Sequence, residues 1–258
     1  MLDFETVRSE YPPELDGFDR AVLREFLQVK VLQAIFESNV ADRLSLTGGT
    51  LLRLIHGSGR FAEEIRLEDF GLGRQGFDTL VGTVRRFLEL EGFEVELRRG
   101  RGAFRCHLRY PDRLFNLGFS PLRKEEFRIR VGRVAEEDQY PPEFMILDMF
   151  DVFTQIRAIP VNLLLSQKIY TAVNRERPRG RDFYDISFLL GSARPDMGFL
   201  REKLGVETVE DLRWTIVERM DRLDTVDMAE EVAPYLPESS QLKRMEAFRA
   251  TWEWAELG

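Results

Sequence analysis

The chain has 258 residues, of which 43% are hydrophobic and 32% charged, and its net charge at pH 7 is −8. This composition is typical of a soluble globular protein of one or two domains, and the negative charge argues against indiscriminate binding to nucleic acid. Without an apolar run of roughly 20 residues, a secretion signal or a second cysteine, the chain is expected to be cytoplasmic, to avoid membranes and to lack an internal disulfide.

The first elements are a helix followed by a glycine-rich turn. Apolar residues at helical spacing predict a helix over residues 18–38, with Asp16 as its cap. A short strand at 44–46 then leads into a short helix that begins at Gly48, Gly49 and Thr50. Paired glycines let a backbone approach a ligand closely, amides at the start of the helix can hold a phosphate, and the threonine could add a hydroxyl. An ordinary tight turn is the structural alternative.

A strand with alternating charges comes next. Residues 64–68 alternate charged and apolar side chains, which is the period of a strand with one face in the core. Glu64, Arg66 and Glu68 would share the other face, either as a site or as a solvated edge. An amphipathic helix is predicted over residues 76–91.

A meander of antiparallel strands carries the positive charge of the chain. Four strands are predicted, at 93–99, 103–110, 113–119 and 127–134, with a turn at 100–102 and an acidic loop at 136–142. Residues 98–133 contain eleven Lys or Arg and three Asp or Glu, whereas residues 134–154 contain six acids and no base. This distribution favours either a groove for a polyanion or solvated strand faces paired with the acidic segments.

The C-terminal part of the chain is predicted to be helical. Residues 144–159 read as one or two further strands with a break near Asp151. Helices are then expected at 161–174, 182–190, 197–204, 209–223 and 241–255. Asp182 and Asp185 lie one turn apart near a helix start, where capping is the simplest explanation for acidic residues. The chain is therefore divided into an α/β core with its N-terminal helix, 1–160, and a helical domain, 161–258.

Four motifs between residues 44 and 190 occur in a particular order. They are Gly48-Gly49-Thr50-Leu51-Leu52, Arg60-Phe61-Ala62-Glu63-Glu64-Ile65-Arg66, Gln167-Lys168-Ile169-Tyr170-Thr171-Ala172 and Arg181-Asp182-Phe183-Tyr184-Asp185-Ile186. Their order and spacing resemble the AbiEii family of nucleotidyltransferase-like toxins from abortive-infection and toxin–antitoxin systems. The resemblance implies an α+β nucleotidyltransferase fold, with a mixed or antiparallel sheet, flanking helices and a helical C-terminal region.

The resemblance also implies a reaction, which is transfer of a nucleoside monophosphate from an NTP to an acceptor such as a tRNA end. Such chemistry uses two divalent ions held by carboxylates, together with groups that neutralise the phosphates. The matching catalytic positions are Glu64, Lys168 and Asp182. The matching nucleotide-binding positions are Gly48, Gly49, Thr50, Arg60, Arg66 and Arg130. An antitoxin is an implied partner, and RNA could bind the basic segment 98–133.

The chain departs from the family pattern at the metal-binding acids. Glu64 replaces the first Asp, Arg66 the second and Arg130 the third, and Ala62 replaces a Ser. Guanidinium groups should repel Mg²⁺, so Mg²⁺ is a doubtful cofactor, but they could pair with neighbouring acids or hold a phosphate directly.

Three hypotheses follow from these departures. The first is a catalytically degenerate protein that still binds a nucleotide or an RNA phosphate. The second is an active transferase that uses Glu64 with Glu68 or Asp69. The third is a non-catalytic interaction protein whose acidic C-terminal helices form the interface.

Overall fold

The computed structural model describes residues 2–100, 105–135 and 140–258, and their contacts divide the chain into two compact units. The first unit contains Met1–Gly57 and Phe61–Ile159, and the second contains Ser58–Arg60 and Pro160–Gly258. The short segment 58–60 thus lies between two elements of the first unit in sequence but belongs with the second unit.

The first unit is built on a mixed sheet, and the α+β class expected from the sequence is confirmed. Seven strands are formed by the described residues: β1 (Leu44–Thr47), β2 (Glu64–Asp69), β3 (Glu96–Arg99), β4 (Arg105–Tyr110), β5 (Phe127–Ala135), β6 (Glu143–Met149) and β7 (Val152–Ala158). Their order in the sheet is β3-β4-β5-β2-β1-β7-β6. The β1–β7 and β2–β5 pairs are parallel and the other pairs are antiparallel.

The core of the first unit lies between the sheet and its helices. The helices are α1 (Phe4–Ser9), α2 (Asp19–Phe36), α3 (Gly48–Leu54), α4 (Gly73–Leu90) and α5 (Arg113–Asn116). Helix α2 packs against β5, β7 and α4. Alternate residues of the strands, such as Ile65, Leu108 and Ile129, are fully buried, so the period-2 pattern places one face of the sheet in this core.

The second unit is helical in its described parts. Its helices are α6 (Val161–Asn174), α7 (Gly180–Leu189), α8 (Met197–Leu204), α9 (Val209–Met220), α10 (Thr225–Val232), α11 (Lys243–Glu246) and α12 (Phe248–Trp254). Helix α7 is its centre, because α6, α10, α11 and α12 all pack against it. Among the described helices of the whole chain, none combines the length and the apolar character needed to cross a membrane.

Several local predictions are wrong. Helix α2 begins at Asp19 with Phe18, not Asp16, at the capping position. The strand predicted at 113–119 is the single helical turn α5, because the preceding Asp112 adopts a left-handed conformation (φ 50°) that turns the chain out of the sheet.

The C-terminal helix predicted at 241–255 is also wrong, since it is interrupted at Ala247 between α11 and α12, and α10 was not predicted. By contrast, the predicted break near Asp151 is confirmed as a two-residue connection between β6 and β7. The predicted turn at 100–102 and acidic loop at 136–142 fall largely outside the described residues.

Candidate functional site

The glycine turn joins β1 to α3 in the first unit. Gly48 has φ +77°, a left-handed conformation that favours glycine, and an added Cβ would lie 3.6 Å from the Cβ of Arg66. Thr50 is fully buried and its hydroxyl donates a hydrogen bond to the carbonyl oxygen of Glu64 at 2.7 Å. The Thr50 hydroxyl, which the sequence suggested as a phosphate donor, therefore connects α3 to β2. Gly48 also lies next to the Arg66 side chain.

This geometry gives a prediction for the turn. Gly48→Ala should lower the free energy of unfolding by about 1–2 kcal/mol, because a left-handed conformation costs roughly that much with a Cβ. The matched control is Gly82→Ala in helix α4, where an added Cβ meets nothing within 4 Å. That change should be neutral or stabilise by up to about 1 kcal/mol. Urea unfolding of the two variants measures the difference, and equal midpoints would contradict this explanation of the turn.

The charged face of β2 lies beside this turn. Arg66 Nη2 is 2.8 Å from Glu64 Oε1, and the two side chains are 41% and 30% exposed. Arg130 on β5 is the cross-strand partner of Glu64 in the parallel ladder, and its Nη2 is 3.3 Å from Glu63 Oε1. The structure thus brings together Glu64, Arg66 and Arg130, which the sequence had assigned to one site.

Electrostatics favour the ionised form of Glu64. Partial burial alone would raise the pKa of the Glu64 carboxyl, but Arg66, with smaller contributions from Arg130 and Arg105, holds it below its ordinary value. Glu64 is consequently a carboxylate at neutral pH, and it is surrounded by guanidinium groups.

The residues present do not fit a site for two divalent cations. Of the three positions that the resemblance assigns to acids, only Glu64 is a carboxylate, and Arg66 already neutralises it. A guanidinium group has donors only and cannot ligate a cation. Within the described ranges, His, Cys, Asp and Glu side chains form no cluster of three that could hold a metal ion.

The neighbouring acids of β2 have other partners. Glu68 and Asp69 are each 2% exposed. Glu68 accepts a hydrogen bond from the hydroxyl of Tyr140, and Asp69 forms an ion pair with the buried Arg133. These two carboxylates therefore lie in the interior of the unit, where they pair with the Tyr140 hydroxyl and the Arg133 guanidinium.

A basic surface extends from Arg130 towards the edge of the sheet. Arg98, His107, Arg130 and Glu64 are successive cross-strand partners on β3, β4, β5 and β2. Partial burial lowers the pKa of His107, and the nearby Arg128 and Arg130 add to this effect. This row of side chains is the basic sheet face.

Several arginines of the basic segment already have partners within the fold. Arg109 is paired with Glu96 and Glu126, at 2.7 and 2.9 Å. Arg113 lies 5.8 Å from the ring centroid of Phe93. The charge count alone therefore overestimates the basic surface, because some of these arginines stabilise the fold.

The second unit contains a charged cluster around Asp185. Its carboxylate accepts two hydrogen bonds from Arg60, both at 2.9 Å, and one from Lys168 Nζ at 2.7 Å. Asp185 and Arg60 are 1% and 4% exposed, and Lys168 is 15% exposed. Two cations therefore share one buried carboxylate.

The ionisation of this cluster reflects burial and pairing. Burial would raise the pKa of the Asp185 carboxyl, but Arg60 and Lys168 outweigh it and hold the pKa below its ordinary value. Burial lowers the pKa of the Lys168 ammonium, and Asp185 only partly opposes this effect.

Asp182, the acid that the sequence assigned to the site, has a different environment. Its Oδ2 accepts a hydrogen bond from the backbone N–H of Arg179 at 3.2 Å and lies 3.2 Å from Arg175 Nη1. It therefore caps α7, as the simpler explanation had it. Asp185, one turn further along, is the acid that contacts Lys168, and sequence reasoning missed this role. The signal was its position in the same motif as Asp182.

The mixed sheet, the glycine turn and the adjacent charged strand define a nucleotidyltransferase-type fold. Two solved structures show the likeness. MenT4, a nucleotidyltransferase toxin of Mycobacterium tuberculosis, matches with a TM-score of 0.61 and 16% identity, over 99% of this chain and 91% of that one. JHP933 of Helicobacter pylori matches with a TM-score of 0.56 and 15% identity, over 91% and 90% of the two chains.

The family is shown by the sequence itself. The profile described as "Nucleotidyl transferase AbiEii toxin, Type IV TA system" matches residues 30–255, and the chain belongs to this family. The resemblance seen in the four motifs is thus confirmed and extends beyond them on both sides. No curated protein matches the chain significantly.

Proposed function

We propose that this member of the family binds the phosphates of a nucleotide through Arg66 and Arg130 without a metal ion, and that it does not transfer nucleotides. The observation that carries the proposal is the placement of the two arginines around Glu64, with the Arg66 side chain resting on Gly48. Both arginines stand where the resemblance implies metal-binding acids.

The arginines are suited to a phosphate ligand. A guanidinium group offers a planar fork of donors that matches two phosphate oxygens, and Arg66 and Arg130 keep 41% and 38% of their side chains exposed. A guanidinium group has five N–H donors, so each arginine can direct a donor to a phosphate while it remains near Glu63 or Glu64. The basic sheet face would extend the positive potential to further phosphates, as in an RNA chain.

Transfer chemistry has less support. Attack on the α-phosphate uses divalent ions to stabilise the developing charge, and the carboxylates for them are missing from this site. The alternative of a rearranged active site would use Glu64 with Glu68 or Asp69. Those two acids are buried and hold Tyr140 and Arg133, so the geometry favours binding over catalysis.

Membership in a toxin–antitoxin family suggests an antitoxin as the counterpart of this protein. The single cysteine of the chain and the family together support a cytoplasmic location. The helices rich in acids near the C-terminus remain the surface proposed for a protein partner.

Calorimetry with the four NTPs tests the binding proposal. Titrations in EDTA should show binding at least as tight as titrations in excess Mg²⁺, because no metal contact contributes and Mg²⁺ neutralises part of the phosphate charge that the arginines bind. Absence of binding in both buffers would overturn the proposal, and binding only with Mg²⁺ would contradict the role of the arginines.

An incorporation assay tests the absence of transfer. Labelled NTPs, total RNA and Mg²⁺ or Mn²⁺ should yield no labelled RNA. Labelling that Lys168→Ala abolishes would instead establish an active transferase.

A further inference from the structure

The edge strand β6 carries an exposed apolar surface unrelated to the charged site. Phe144 and Ile146 on β6 are 59% and 49% exposed, and Phe153 on β7 is 71% exposed. All three lie on the same face of the β6–β7 hairpin, since Phe144 is opposite Arg157, Ile146 opposite Gln155 and Asp148 opposite Phe153. Large apolar side chains gathered on one face of an edge strand indicate an interaction surface.

The backbone of β6 offers hydrogen-bonding groups along this edge. Among the described strands, β6 pairs only with β7. The two residues between the strands make Met149 and Val152 the closing hydrogen-bonded pair, and such pairs alternate along an antiparallel ladder. The N–H and C=O groups of Phe144, Ile146 and Asp148 consequently point away from β7.

We propose that β6 pairs antiparallel with β6 of a second copy of this chain, about a two-fold axis at Ile146. In this register Ile146 lies opposite its counterpart, and Phe144 lies opposite Asp148 of the other copy. Phe144, Ile146 and Asp148, whose backbone N–H and C=O groups point away from β7, then form the hydrogen-bonded pairs between the two copies. The same surface on both copies is self-complementary, as a two-fold interface requires.

The charges on this face also match a second copy. Asp148 forms no ion pair with any residue in the described ranges, and it is exposed. The guanidinium of Arg157 lies 5.8 Å from the ring centroid of Phe144, and its Nε is buried without a hydrogen-bond partner among the described residues. In the proposed register, Phe144 of one copy lies between Arg157 of its own β7 and Asp148 of the other copy. The opposite charges of Arg157 and Asp148 would thus flank this phenylalanine, which favours a second copy over an unrelated strand.

Light scattering across a concentration series tests the proposal, because it measures the mass of the protein in solution. The wild-type chain should give the mass of two chains, decreasing towards one on dilution. Ile146→Lys should give one chain at every concentration, while Val134→Lys, which alters an exposed apolar residue on β5, should leave the dimer intact. Circular dichroism of the two variants serves as the control that both are folded. A wild-type monomer throughout, or a dimer that persists in Ile146→Lys, would overturn the proposal.

A cross-link tests the register independently. Opposed residues of a hydrogen-bonded pair have Cα atoms about 5.5 Å apart, within the range of a disulfide. Ile146→Cys should therefore form a covalent dimer under mild oxidation. Phe153→Cys should not form one, because Phe153 lies on β7, the second strand from the axis. The wild-type chain should not form one either, because its Cys106 is buried. Equal cross-linking of the two variants would rule out this register.

Discussion

Replacement of Asp185 by alanine is expected to lower the free energy of unfolding by about 3–5 kcal/mol, the usual cost of removing one partner from a buried ion pair. The carboxylate is 1% exposed and accepts three hydrogen bonds from Arg60 and Lys168. Without it, the guanidinium of Arg60 and the ammonium of Lys168 would lie close together and would lack the carboxylate that pairs with both. Denaturant unfolding of the two proteins gives the difference.

The matched control for this prediction is Asp182→Ala. Asp182 lies one turn earlier on the same helix, where it caps the helix and pairs with Arg175. Because Arg175 is 28% exposed, the loss of Asp182 should cost less, about 1–2 kcal/mol. If the two variants lose equal stability, the Arg60–Asp185–Lys168 cluster does not stabilise the unit in the way that its geometry indicates.

The same cluster gives a dependence on pH. Because the folded pKa of Asp185 lies below its ordinary value of 3.8, its stabilising contribution is fully present above about pH 4 and is lost as the pH falls through the folded pKa. The stability difference between the wild-type chain and Asp185→Ala should therefore be constant near neutral pH and should shrink in acid.

The sequence predicted those parts of the site that depend on local pattern. The alternation in residues 64–68 places Glu64 and Arg66 on one face of a strand, and the structure bears this out. The partner of Asp185 could not be predicted in this way. Arg60 is 125 residues away in sequence, and which acid it reaches depends on how segment 58–60 packs within the second unit. Asp182 was assigned to the site because it matches the acid of the family motif, whereas a buried long-range pair such as Arg60 and Asp185 leaves no local pattern.

The errors in the fold have a similar origin. A single helical turn such as α5 and a strand of similar length bury their apolar residues at overlapping positions, so periodicity does not separate them. The position of β6 at the edge of the sheet could not be predicted from the sequence pattern either. Residues 144–147 are all apolar, so the sequence does not show which of them face solvent. The sheet order places β6 at an edge, and the burial of its side chains shows that Phe144 and Ile146 are exposed.

The double substitution Arg66→Asp and Arg130→Asp should reverse the ligand preference of the charged site. Binding of NTPs in EDTA should fall by about 100-fold or more, since each charged hydrogen bond contributes about 1.5–3 kcal/mol and 1.4 kcal/mol is a factor of ten. Carboxylates would then stand at positions 66 and 130 around Glu64. Adjacent strands are about 4.8 Å apart, so the three acids would be close enough to share a divalent ion.

Titration with Mn²⁺ measures the gain, and the variant Arg66→Ala with Arg130→Ala separates the two effects. The alanine variant should lose nucleotide binding without gaining a cation, because it removes the donors but supplies no ligand. The aspartate variant should bind Mn²⁺ with measurable heat. Undiminished NTP binding by both variants in EDTA would show that the phosphates bind elsewhere. Loss of NTP binding together with a new cation site would indicate that in this chain the two arginines stand in place of the metal ions of the family.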